Sequence, residues 1–354
     1  MAQTILFATN RTQTGPVQDG IPQFGDEPTA AGTPLSCAAA TVDGIDTQDE
    51  DSGKIVAVTP LQAGAFAEED LKGLLESPND VLVFIHGTMN DFSAAITRAA
   101  YNQAWLGETA VNGSARSYDV IAFTWPGRDY DIPSLFQIGD AIEGYRHDQS
   151  SAAHSNEDMA AFFRLLYTLK ARIGTRRLNL LCHSMGCYAL GGAMETLFKD
   201  PGAPTKLLFD EVMLAAGDED CSTFIEPHGG RLSNLHLLGR EITVYFNRND
   251  IAMHLSRIVN GAFHLGYDGP PNRADLRTFP PKVYEFVNCI ALSDYIDTPQ
   301  HPEQVDRSHQ YYRQSPTVRR DIAAGLAGLV PVRPYFYQHE NFYAFARVDL
   351  SGQI

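Results

Sequence analysis

A chain of 354 residues has room for two average domains or for one large α/β domain. Hydrophobic residues make up 44%, enough for a large core and incompatible with a disordered chain. The 27 Lys and Arg set against 43 Asp and Glu leave a formal charge of −16, which argues against nucleic acid or an anionic membrane surface as partner, since both need clustered positive charge.

Apolar runs of strand length alternate with amphipathic helical stretches, the pattern of a mostly parallel sheet covered by helices on both faces. Ile5 to Thr9 reads as the first strand. Residues 12–51, rich in Gly, Pro, Thr and Asp, read as a long N-terminal excursion with an acidic run, Asp46 to Asp51, near its end. Lys54 to Thr59 is expected to be a second, antiparallel strand. Val81 to Ile85 is a continuous apolar strand, followed by a helix from Phe92 to Leu106 capped by Asn90 or Asp91. Val120 to Trp125 is the next strand, stopped by Pro126-Gly127. The stretch 127–154, rich in Asp, Gly, Tyr and Ser, is a candidate cap, because ligands bind at the carboxyl ends of such strands. Ser155 with Asp158 resembles a capping box opening a helix through Met159 to Ile173.

Leu178 to His183 is then an apolar strand running into Ser184-Met185-Gly186 and a helical segment through Phe198. This is the layout of a nucleophile elbow, a strand-to-helix turn that exposes a serine above the sheet and demands small neighbours two residues away on either side. Those neighbours are Cys182, where Gly is usual, and Gly186. Further strands are expected at Glu211 to Ala216, Ile242 to Phe246 and Val283 to Leu292. A helix from Thr317 to Leu329 follows Pro316, and the aromatic Tyr335 to Phe345 region should form a final hairpin on the core.

A serine hydroxyl needs a general base, and the base needs an orienting acid. In hydrolases of this layout the order along the chain is Ser, acid, His. Ser184, Asp250 and His309 supply that order, with Asp250 at a strand end and His309 in a loop after the last long strand. Asp218, also at a strand end, is the alternative acid, and His301 competes with His309; Asp250 has a plainer role open to it as the cap of the helix that starts at Ile251. The oxyanion hole calls for backbone N–H groups from Met185 and from Thr88 after His86-Gly87, with the Thr88 hydroxyl as a conceivable third donor. His86 and His183 are expected to be structural, and neither Cys182 nor Cys187 is placed to be the nucleophile.

The five cysteines are odd in number, scattered and without a C-x-x-C pair, as expected for reduced thiols in a cytoplasmic protein. No secretory leader, membrane span of roughly 18 apolar residues, metal-ligand spacing or phosphate loop is read in the chain, so no cofactor or metal is expected.

Several segments together resemble a bacterial α/β-hydrolase family catalogued as of unknown function: Phe7-Ala8-Thr9-Asn10-Arg11, Val83-Phe84-Ile85-His86-Gly87, Phe123-Thr124-Trp125-Pro126, Gly144-Tyr145-Arg146-His147-Asp148, Cys182-His183-Ser184-Met185-Gly186, Leu214-Ala215-Ala216-Gly217-Asp218, Val244-Tyr245 through Asp250, and Ser308-His309-Gln310-Tyr311-Tyr312. The chain departs from that pattern at Cys182, where Gly or Ala is common, and at Gly217, where Pro is frequent. The resemblance implies an α/β-hydrolase fold with a serine-based triad, supports Ser184 and His309, and leans toward Asp250. Together these readings point to one hydrolase domain over 1–354 that cleaves small-molecule carboxylic esters. Amide or peptide hydrolysis by the same residues, or a non-catalytic binding protein on the same scaffold, are the alternatives.

Overall fold

Continuous apolar strands can be buried on both faces only if helices cover both sides of the sheet, and this chain builds that arrangement. The computed structural model describes residues 2–129, 138–199, 203–225, 230–295, 308–331, 335–339 and 341–345, with backbone alone at 138–140, 335–339 and 342. The principal strands are β1 (Gln3–Thr9), β2 (Ser36–Asp43), β3 (Lys54–Val58), β4 (Asp80–Ile85), β5 (Tyr118–Thr124), β6 (Leu178–His183), β7 (Phe209–Ala215), β8 (Gly239–Phe246), β9 (Tyr284–Asn288), β10 (Tyr335–His339) and β11 (Phe342–Phe345). They lie side by side in the order β10-β11-β9-β8-β7-β6-β4-β5-β1-β2-β3. From β1 through β5, β4, β6, β7, β8 and β9 to β11 all neighbours are parallel, and antiparallel pairing is confined to the two edges.

The helices are α1 (Glu68–Glu76), α2 (Phe92–Glu108), α3 (Ile138–His154), α4 (Asn156–Ile173), α5 (Met185–Lys199), α6 (Ile251–Asn260) and α7 (Pro316–Leu326). Alternation along β4 shows the layering: Val81, Val83 and Ile85 pack with α1, α4 and α5, whereas Leu82 and Phe84 pack with α2 and α7. Asp91 caps α2 by accepting the Ala94 N–H, and Pro316 occupies the first turn of α7.

Two expectations are corrected. Residues 12–51 are not simply an excursion, because Ser36–Asp43 is a full strand paired antiparallel to β1 along its length. Its Ala-rich sequence has only Thr41 and Val42 as β-branched residues and no aromatic one, so burial beside β1 more than propensity makes it a strand. Ser155 does not build a capping box: its hydroxyl donates to the Ser151 carbonyl and accepts from Asn10, because α3 leads into α4 with almost no break. The C-terminal hairpin extends the sheet edge through β11 beside β9. Of the expected cap, 138–154 is helix and 130–137 lies outside the described residues.

Candidate active site

The elbow is built where β6 ends and α5 begins. Ser184 has φ 52, a left-handed backbone that a residue with a side chain adopts only when its surroundings hold it there. Three backbone hydrogen bonds do so: Ser184 N–H to the Ala215 carbonyl at 3.0 Å, and the N–H groups of Cys187 and Asp218 to the Ser184 carbonyl, each at 2.9 Å. Gly186 is required by close approach, since a Cβ there would sit 2.5 Å from the His86 carbonyl oxygen. Gly87 presses on the serine from the other side, where an added Cβ would lie 2.8 Å from the Ser184 Cβ. Cys182 is wholly buried within β6, and the Cys187 thiol donates to its carbonyl at 3.6 Å, so both thiols belong to the core.

Ser184, Asp250 and His309 come together although they are far apart in the chain. The Ser184 Oγ lies 2.9 Å from His309 Nε2, and His309 Nδ1 lies 2.8 Å from Asp250 Oδ2. All three are buried, Asp250 completely. Asp250 also fills the plainer role: its Oδ1 accepts the Met253 N–H at 3.1 Å and caps α6. One oxygen starts the helix and the other faces the imidazole, so the cap fixes the direction of the carboxylate.

The segment bearing His309 is tied on both sides. The Ser308 Oγ accepts the Ile251 N–H at 3.1 Å, next to Asp250. The Tyr311 hydroxyl donates to the Tyr245 carbonyl at 2.9 Å and accepts the Ala216 N–H at 3.1 Å, anchoring the segment to the ends of β8 and β7. Behind it, the Arg313 guanidinium meets Glu50 at 2.9 Å and Gln314 donates to the same carboxylate at 2.7 Å, all buried. Glu50 belongs to the acidic run, which by itself reads as solvated surface; the buried Arg that answers it lies beyond any local pattern. His301 lies outside the described residues.

The two remaining histidines near the elbow are held neutral. Burial, and then the charge of nearby Arg11, push His86 down to about 3. Its ring stacks on Trp125 at 4.9 Å. Burial likewise drives His183 well below its ordinary value, and its ring sits between those of His309 and Tyr312, at 4.8 and 4.6 Å. His183 therefore walls the His309 ring.

Asp218, the alternative acid, is committed elsewhere. Its Oδ1 meets His264 Nδ1 and accepts the Ser256 hydroxyl at 2.5 Å, while Oδ2 accepts the Tyr145 hydroxyl at 2.8 Å. Burial would raise its pKa, but these partners, His264 first, outweigh burial and hold it low. His264 is raised despite burial because the Asp218 carboxylate faces it. At the oxyanion side, the Thr88 hydroxyl donates to Asp148 at 2.5 Å, so it is not the third donor the sequence left open. Among the described residues no group of three or more His, Cys, Asp or Glu is arranged to hold a metal.

Residues 64–323 match the family model for "Alpha/beta hydrolase of unknown function (DUF900)". The chain belongs to this family. The matched span runs from just before α1 into α7 and includes Ser184, Asp250 and His309, whereas β1 to β3 precede it. Membership makes the protein an α/β hydrolase, in agreement with the sheet order and the elbow. No curated protein matches the chain. Within the family's span, Asp148, Tyr145 and Arg313 were not singled out from the residues alone. Asp148 meets Thr88, Tyr145 meets Asp218 and Arg313 meets Glu50 across 60, 73 and 263 positions, and no local spacing reports such contacts.

Proposed function

We propose that this hydrolase cleaves carboxylic esters through an acyl-enzyme on Ser184, with His309 as general base and Asp250 as its orienting acid. The observation that carries the reading is the continuous line Ser184 Oγ, His309 Nε2, His309 Nδ1 and Asp250 Oδ2, with both contacts under 3 Å. In that line His309 Nε2 takes the serine proton as Oγ attacks the carbonyl carbon, and Asp250 stabilises the imidazolium that forms. The tetrahedral oxyanion is bound by backbone N–H groups of Met185, at the N-terminus of α5 where peptide donors are unpaired and the helix dipole is positive, and of Thr88. Collapse of the intermediate breaks the ester C–O bond, and the alcohol leaves with the proton from His309. Water then attacks the acyl-enzyme with His309 again as base, and the carboxylic acid and free Ser184 return. Every step uses groups of this chain, with a small-molecule ester as substrate. Esters are favoured over amides because their leaving group needs less protonation in the transition state. The five free cysteines fit a reducing compartment, the cytoplasm. No helix among the described residues is long and apolar enough to cross a membrane.

The test is a panel of p-nitrophenyl esters and anilides together with a fluorophosphonate probe. The reading expects ester turnover and labelling that disappear in Ser184→Ala. Turnover of anilides in preference to esters would reassign the activity to amides. The absence of both turnover and labelling would leave a binding protein on a hydrolase scaffold.

A further inference from the structure

The segment Gly144-Tyr145-Arg146-His147-Asp148 takes no part in the chemistry above, yet it is the point where α3 reaches the site. Asp148 is completely buried and collects three donors from outside α3, beside a 3.5 Å contact with the ring of its neighbour His147. Its Oδ2 accepts the Thr88 hydroxyl at 2.5 Å and the Met89 N–H at 3.0 Å, and its Oδ1 accepts the Arg128 N–H at 2.9 Å. Met89 has φ 58, an unfavourable conformation for a side chain of its size, and the Asp148 bond falls on that residue. The buried Arg11 reinforces the same place, donating to the Asn90 carbonyl at 2.8 Å and the Gly127 carbonyl at 2.9 Å. One turn earlier, at a spacing that puts both side chains on one helix face, the Tyr145 hydroxyl donates to Asp218, and the Asp218 N–H holds the Ser184 carbonyl.

We propose that this turn of α3 is a clamp that positions both walls of the site, the oxyanion loop through Asp148 and the elbow through Tyr145. The inference rests on the serine-hydrolase reading for its catalytic consequence. A buried carboxylate costs several kcal/mol unless its lone pairs are filled, and here the three donors from outside α3 lie on the loops after β4 and β5. An oxyanion donor helps only while it stays aimed at the developing charge. Asp148 and Tyr145 are thus positioning residues. Because they share a helix face, any displacement of α3 changes the oxyanion loop and the elbow together.

The experiment compares Asp148→Asn and Tyr145→Phe with the wild type in kcat, KM and amide hydrogen exchange over residues 86–90. Asp148→Asn should lose about tenfold to a hundredfold in kcat, with KM within about threefold and faster exchange at Met89, as expected when a transition-state donor is loosened. Tyr145→Phe should lose several-fold. A folded Asp148→Asn protein with unchanged kcat, or with its loss carried by KM, overturns the proposal. If Asp148→Asn does not fold, Thr88→Val, which removes the hydroxyl bonded to Asp148 and keeps the backbone N–H, should lose about tenfold or more in kcat with faster exchange at Met89; unchanged kcat and exchange in that variant overturn the clamp. If the wild type neither turns over esters nor labels, the hydrolase reading has failed, and exchange at Met89 alone decides the clamp, unchanged exchange in Asp148→Asn refuting it.

Discussion

Two buried carboxylate–imidazole pairs flank the elbow, and they differ in what lies beyond the imidazole. Asp250–His309 follows β8 and continues from Nε2 to the Ser184 hydroxyl. Asp218–His264 follows β7 and turns back on itself, with Ser256, Tyr145 and Asn260 hydrogen-bonded around the same groups. Either aspartate would satisfy the chain-order argument for a triad acid. Only the first is joined to a histidine that reaches the serine, so contact between a carboxylate and an imidazole is not by itself diagnostic. The second pair instead ties α3, α6 and the loop after β7 into one polar knot.

Substitutions should separate the pairs sharply. Removing the reacting groups has the largest expected effect: Ser184→Ala and His309→Ala should each lower kcat by about 10⁴-fold or more, measured on the best ester of the panel. Asp250→Asn should follow at about 10³–10⁴-fold, because the imidazole is then held in the wrong tautomer. Asp218→Asn, assayed beside it, should cost no more than about tenfold, and an equal loss in the two variants would erase the distinction between the two pairs. Behind the first pair, Glu50→Ala leaves the buried Arg313 guanidinium unmatched, and denaturant unfolding should show a loss of about 3–5 kcal/mol.

The smallest effect concerns pH. The His264 pKa is raised above 6.5 in the folded state, so its contribution is complete below pH 6.5 and is lost as pH rises through the folded value. Asp218 is held below 3.8, so its contribution is complete above pH 3.8 and is lost as pH falls through its folded value. His264→Gln should therefore have a flatter Tm profile than the wild type on the alkaline side of pH 6.5. An identical slope there would show that the second pair does not titrate as the geometry requires.

Much of this was legible in the residues because it is local. A continuous apolar strand, a serine and a glycine two residues on mark the elbow, and the glycine is needed for a contact with His86 that the motif implies. Asp250 lies four residues past the end of β8, which sets it at the carboxyl edge of the sheet. What the sequence could not show depends on long-range pairing. Ser36–Asp43 is a strand because of β1 beside it, not because alanine favours strands. Glu50 looks solvated until Arg313 is brought against it, and Asp218 looks like a free acid until His264 folds over it. Thr88 looks like an extra oxyanion donor until Asp148 takes its hydroxyl.

The most direct test is fluorophosphonate labelling of the intact protein followed by mass-spectrometric mapping of the adduct. A single phosphonyl group on Ser184, formed much more slowly in His309→Ala and in Asp250→Asn but at near wild-type rate in Asp218→Asn, is the predicted result. No adduct on the wild type, or one on a residue other than Ser184, would contradict the account.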